Sequence, residues 1–123
     1  MNELNVVDSS GWLEYFADTD RASLFAAAIE DTEKLIVPVI SIYEVFKKVL
    51  RDHGESSALH VASSMKTGRV IDLDVSLSLN AARYRLPLAD SIIYATVKRF
   101  GATLWTQDED FANFTDVKYF AKA

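Results

Sequence analysis

Five short apolar runs alternate with helical patterns along the chain, and this alternation restricts the possible folds more than any other feature. The runs cover 4–7, 34–38, 69–73, 102–106 and 117–120. Two neighbouring parallel strands need a connection of about a dozen residues or more between them, usually a helix. The intervening lengths supply that repeatedly, so the spacing predicts βαβ units. The expected fold class is α/β: a single three-layer α/β/α domain over residues 1–123 with a mostly parallel central sheet.

The clearest segment runs from Leu86 to Phe111. It reads as a helix opening on Asp90, with Pro87 where a first-turn proline is tolerated. Ala89, Ile93, Thr96, Val97 and Phe100 form one helical stripe. Gly101 suits the left-handed position just past the helix, and 102–106 follows as a buried strand with an acidic tip at Asp108 and Asp110.

The other segments follow the same rules. Ser9 and Ser10 offer N-cap chemistry for a helix carrying Trp12, Leu13, Tyr15 and Phe16. A second helix is expected over 20–30. Ser41 and Glu44 have capping-box spacing, and beyond them Ile42, Val45, Phe46, Val49 and Leu50 share a face while Glu44, Lys47, Lys48 and Arg51 share another. Gly54 closes that helix, another covers 55–66, and Asp74 caps one over 75–84.

Composition narrows the class. Half of the 123 residues are apolar and a quarter are charged, as in a globular chain with enough material for a core. No apolar run approaches the length of a membrane span and no secretory signal is legible, so a soluble cytoplasmic protein is expected. There is no cysteine, which excludes disulfides and thiolate metal sites. A net charge of −5 argues against a surface that coats DNA.

Each acidic residue has an ordinary reading on its own. Asp8 could cap the next helix, and Glu44 could complete the capping box or pair with Lys48. Asp90 could face its helix dipole, and Asp108 and Asp110 could be solvated turn residues. Their common placement is another matter. In a parallel sheet, strand C-termini and the following helix N-termini share one edge, where ligands bind. Asp8, Glu44, Asp90 and Asp108 each fall at such a junction and can converge there. Carboxylates so grouped repel unless some protonate or a cation joins them. Oxygen donors without His or Cys favour Mg²⁺ or Mn²⁺, which suits metal-assisted hydrolysis of a phosphodiester. Lys47, Lys48 and Arg51 beside Glu44 could then track phosphates. His53 and His60 are expected to take no part, and Trp12, Tyr15, Phe16 and Trp105 are expected in the core or at a dimer contact.

Four segments together resemble the PIN-domain family, and within it the small VapC-type toxins of prokaryotic toxin–antitoxin pairs. They are Val6-Val-Asp-Ser-Ser10, Ser41-Ile-Tyr-Glu44, Leu86-Pro-Leu-Ala-Asp90 and Thr106-Gln-Asp-Glu-Asp-Phe111, in the family's order and across nearly the whole chain. The resemblance implies an endonuclease of single-stranded RNA using Mg²⁺ or Mn²⁺. Asp8, Glu44, Asp90 and Asp108 would be its catalytic and metal-holding acids, with Asp8 and Asp90 the most direct ligands and Asp110 an auxiliary fifth. Thr106 looks like the hydroxyl near the site, and Ser9, Lys47 and Lys48 join it as candidate substrate contacts. A homodimer and a small antitoxin protein that blocks the cleft are implied as partners.

Rival readings are weaker. Asp8-Ser-Ser-Gly-Trp12 partly resembles the Asp-x-Ser-x-Ser motif of von Willebrand A-type domains, but Trp12 stands where the second serine belongs. A phosphotransfer enzyme of the haloacid-dehalogenase kind needs an aspartate where this chain has Ser10. A PIN-like chain that has lost cleavage and acts by binding protein or RNA is the remaining alternative.

Overall fold

The structure, a computed structural model, describes residues 3–122. Its five strands are β1 (Asn5–Val7), β2 (Ile36–Pro38), β3 (Arg69–Ile71), β4 (Thr103–Thr106) and β5 (Val117–Tyr119). β1, β4 and β5 form one parallel ladder, β2 and β3 another. A parallel bridge between Asn5 and Leu35 joins the two. The strand order is therefore β3-β2-β1-β4-β5, and every pairing is parallel. Such an order reverses direction between β1 and β4, which opens a crevice beyond their C-terminal ends.

Strands buried on both faces must alternate apolar side chains between two cores. Val6, Ile36 and Leu104 face one cluster, which includes Ile93, Val97 and Phe111. Val7 and Val37 face the other, with Trp12, Phe25, Val45 and Met65. Helices α1 (Ser9–Ala17), α2 (Ala22–Glu30), α3 (Val39–His53) and α4 (Glu55–Met65) supply that second core. Helices α5 (Val75–Ala81) and α6 (Leu88–Phe100) lie with the first. The expected three-layer arrangement is what forms. Trp12 is fully buried, and Tyr15, Phe16 and Trp105 pack against the same core.

Several local boundaries differ from the sequence expectation. Helix α6 opens at Leu88 rather than on Asp90, because Pro87 is the extended cap residue (ψ 155°) and its carbonyl accepts the Ser91 N–H. Asp90 thus sits in the first turn. Gly101 does adopt the left-handed conformation (φ 59°). Helix α3 starts two residues before Ser41, since β2 runs directly through Pro38 into the helix. The Ser41–Glu44 capping box therefore does not form; Ser41 is buried and its hydroxyl has no partner. Asp8, not Ser9 or Ser10, caps α1. Helix α2 begins at Ala22 without a side-chain cap, and α5 ends at Ala81 short of Tyr84. Leu50, expected to share a face with Ile42, Val45, Phe46 and Val49, is exposed. Among the described residues no helix is long and apolar enough to cross a membrane.

Candidate functional site

The crevice between β1 and β4 holds the acidic residues. Asp8 follows β1 directly and is 2 % exposed. Its Oδ1 accepts the Gly11 N–H at 3.0 Å and the Ser10 hydroxyl at 2.9 Å, and its Oδ2 accepts the Thr106 hydroxyl at 2.5 Å. One carboxylate thus caps α1 and also meets Thr106 across the β1–β4 seam. Burial pushes the Asp8 pKa up, against the pull of the Thr106, Gly11 and Ser10 hydrogen bonds.

Across the crevice, the first turn of α6 brings Asp90 to the tip after β4. One oxygen from each of Asp90, Asp108 and Asp110 lies within 4.8 Å of the other two. The tip is a short 3₁₀ turn (Glu109–Phe111) in which Asp108 Oδ1 accepts the Asp110 N–H at 2.9 Å. Asp90 is raised from 3.8 to about 7: partial burial contributes most, followed by the charges of Asp108, Glu44 and Asp8 and a hydrogen bond with the Asp108 carboxyl. Like charges that close cannot all ionise without help.

Glu44 comes from α3, and its Oε1 accepts the Ser9 hydroxyl at 2.5 Å. It neither caps α3 nor pairs with Lys48. Lys48 instead pairs with Asp52 one turn on (3.2 Å), and Lys47 reaches the Tyr43 hydroxyl (3.3 Å). So the five acids converge, with Asp90, Asp108 and Asp110 as the tightest group, while the two lysines stay on the exposed face of α3. Among the described residues, none of the ion pairs reaches any of these five carboxylates. An all-oxygen donor set of mutually repelling carboxylates fits a hard divalent cation.

A cleft of about 1010 Å³ flanks this cluster without containing it. Ser10, Glu14, Lys48, His53, His60 and Gln107 line it between α1, α3 and α4. A smaller hollow of about 500 Å³ includes Ser10, Gln107 and Lys122 and reaches Asp108. Sequence reasoning missed Gln107 altogether. It carries no periodicity or motif cue, yet it is 5 % exposed and stands between the two cavities and the acidic tip.

Comparison with known proteins identifies the family and the fold. A family model described as PIN domain matches residues 6–117. The chain belongs to the PIN-domain family. Among solved structures of similar fold, a toxin–antitoxin complex from Klebsiella pneumoniae superimposes with a TM-score of 0.78 at 21% identity, covering 96% of this chain and 99% of that one. VapC20 of Mycobacterium tuberculosis, described as a toxin cleaving the sarcin-ricin loop, gives 0.71 at 18% identity and 92% and 98% coverage. VapBC2 of Rickettsia felis, bound to a DNA fragment from its promoter, gives 0.73 at 10% identity and 96% and 98% coverage. At such identities the likeness establishes the PIN fold. No curated protein matches this chain.

Proposed function

We propose that this PIN-domain chain is a metal-dependent endoribonuclease that cleaves single-stranded RNA, acting in the cytoplasm as the toxin of a toxin–antitoxin pair. The observation that carries this reading is the convergence of Asp90, Asp108 and Asp110 at the mouth of the β1–β4 crevice, backed by Asp8 and Glu44. The solved relatives described as toxins and toxin–antitoxin complexes, one of them cleaving the sarcin-ricin loop, support it.

In this reading the 123 residues act as one nuclease domain. Asp90, Asp108 and Asp110 hold Mg²⁺ or Mn²⁺, with Asp8 and Glu44 completing the acidic wall. A bound divalent ion supplies positive charge that polarises the phosphodiester and acidifies the attacking water. The chain's own part is to orient. Thr106 fixes the Asp8 carboxylate and Ser9 fixes Glu44. Lys47 and Lys48 on the outer face of α3 meet RNA phosphates, contacts that position a nucleic acid without reading its sequence. Leu73, Val75, Leu79 and Leu88, all exposed in or beside α5 and at the start of α6, offer apolar surface for a homodimer. A small antitoxin protein is the second partner.

The test is cleavage of a mixed RNA pool with Mg²⁺ or Mn²⁺, with EDTA, and with Asp90→Asn in parallel. Cleavage that is lost with EDTA and with the variant is expected. A folded Asp90→Asn protein that cleaves at full rate would sink the proposal. A wild type that binds Mn²⁺ but cuts no RNA would favour a PIN protein that acts by binding.

A further inference from the structure

Gln107 follows the last residue of β4 and lies between Thr106 and Asp108 of the acidic site, while its side chain reaches α1 and the α1–α2 turn. There it is held at both ends of its amide. Its Oε1 accepts the Arg21 Nε–H at 2.5 Å, and its Nε2 donates to Glu14 Oε2 at 2.7 Å. Arg21 also donates from Nη2 to the Phe120 carbonyl at 2.8 Å, which ties in the end of β5. Glu14 Oε1 in turn accepts the Thr19 hydroxyl at 2.7 Å, and the Arg21 N–H is donated to that same hydroxyl oxygen at 3.2 Å. The network thus joins α1, the α1–α2 turn, the tip after β4 and the chain beyond β5.

We propose that Gln107 is a positioning residue for the metal-binding acids: clamped by Arg21 and Glu14, it fixes the backbone that presents Asp108 and Asp110. This rests on the metal-site reading above. The physical case is that a buried amide has one orientation when its donor and acceptor ends meet different partners. Inverting the amide would set its NH₂ against the Arg21 guanidinium and its oxygen against the Glu14 carboxylate. The tip has its own local bonds, the Asp108 N–H to the Thr106 hydroxyl and the Asp110 N–H to Asp108 Oδ1, and the clamp is what ties it to α1 and the α1–α2 turn. The Glu109–Phe111 turn is anchored by buried Phe111, but Glu109 and Asp110 are exposed. Hydrogen-bonded networks of this kind order their members more than isolated pairs do.

The clamp makes a prediction opposite in sign to that of simple charge. Gln107→Glu adds a negative group next to the acids, so charge alone would tighten cation binding. It also sets two carboxylates against each other at positions 14 and 107, which breaks the clamp. Exchanging the two side chains, Glu14→Gln with Gln107→Glu, rebuilds it. The amide at position 14 then donates to the carboxylate at position 107, which still accepts from Arg21, and its oxygen still accepts from Thr19.

The experiment uses the full chain and two readouts, Mn²⁺ titration by calorimetry and amide exchange at Asp108 and Asp110 in metal-free protein. Gln107→Glu is expected to bind Mn²⁺ about tenfold or more weakly, the usual effect of removing a partner that orients ligands. Its Asp108 and Asp110 amides are expected to exchange faster than those of the wild type. The double exchange is expected to restore both. Arg21→Lys keeps the charge but not the fork, and it should weaken Mn²⁺ binding in the same direction if Gln107→Glu does not fold. Equal or tighter Mn²⁺ binding by Gln107→Glu, unaltered exchange at the tip, or no rescue in a folded double variant would each overturn the clamp. If the wild type binds no Mn²⁺, the metal-site reading fails by itself, and the exchange measurement still decides whether Gln107 orders the tip.

Discussion

Thr106 and Asp8 are joined across the β1–β4 seam by a buried hydrogen bond of 2.5 Å, with the threonine hydroxyl donating to Oδ2. The same hydroxyl oxygen accepts the Asp108 N–H at 2.9 Å. One side chain therefore orients a carboxylate at the end of β1 and the backbone of the acidic tip. Thr106→Val keeps the shape and removes both bonds. RNA cleavage is expected to fall by about ten- to a hundredfold, the usual cost of losing a group that orients metal ligands. The unpaired amide and carboxylate should lower stability by about 1–3 kcal/mol. Thr106→Ser should retain most of both, and a Thr106→Val protein with unchanged cleavage would show that the bond is incidental.

Asp90 gives the metal-free protein a defined pH response. Its pKa is 3.8 as an ordinary aspartate and about 7 in the fold. Between those values the folded chain keeps a proton that the unfolded chain has released. Stability is thus full near the lower value, falls as pH rises through the window, and levels off above about 7. Buried Asp8 acts in the same direction. Thermal melts of metal-free protein should show Tm decreasing across that range and recovering at the alkaline end when Mn²⁺ is added. Asp90→Asn should flatten the slope and melt higher than wild type in the alkaline buffer. A slope that persists unaltered in the variant would assign it to other groups.

Gly11 is needed for space rather than for backbone freedom. A Cβ there would stand 2.6 Å from Val7 Cγ1 and 2.7 Å from Phe25 Cδ1, both in the core between α1, α2 and the sheet. Alanine is otherwise the better helix former, by about 0.8–1.0 kcal/mol. Overpacking of about 1–3 kcal/mol outweighs that gain, so Gly11→Ala should destabilise on balance. Urea unfolding checks it: a midpoint at or above the wild-type value would mean that Phe25 can move aside without loss.

Glu44→Gln separates a structural from an electrostatic role. The amide oxygen can still accept the Ser9 hydroxyl, so the melting temperature should hold or rise as repulsion with Asp90 is relieved. Mn²⁺ affinity should fall, because one of the charges facing the cluster is gone. A large drop in Tm with unaltered Mn²⁺ binding would make Glu44 a structural residue of α3.

Local rules were enough to read the order and kind of the main elements and to place Asp8 and Asp108 just after strands. Asp90, however, follows a helix–helix connection, and Glu44 lies in the second turn of α3 rather than at a strand–helix junction. The apolar runs, Gly101 and the stripe from Ala89 to Phe100 are cues carried within a few residues, and steric and capping preferences act at that range. The same rules misassigned Ser41 and Glu44. A capping box is a local possibility, whereas the observed partner of Glu44 is Ser9, 35 positions away. They gave no hint of Gln107, whose partners Arg21 and Glu14 lie 86 and 93 positions off. Periodicity tells a residue which face to bury, so it determined the fold class and the edge where the acids gather. Which atoms meet there depends on how β1, β4, α1, α3 and α6 pack together. That packing gave Asp90 its raised pKa, because it brought burial and the charges of Asp108, Glu44 and Asp8 to one carboxyl.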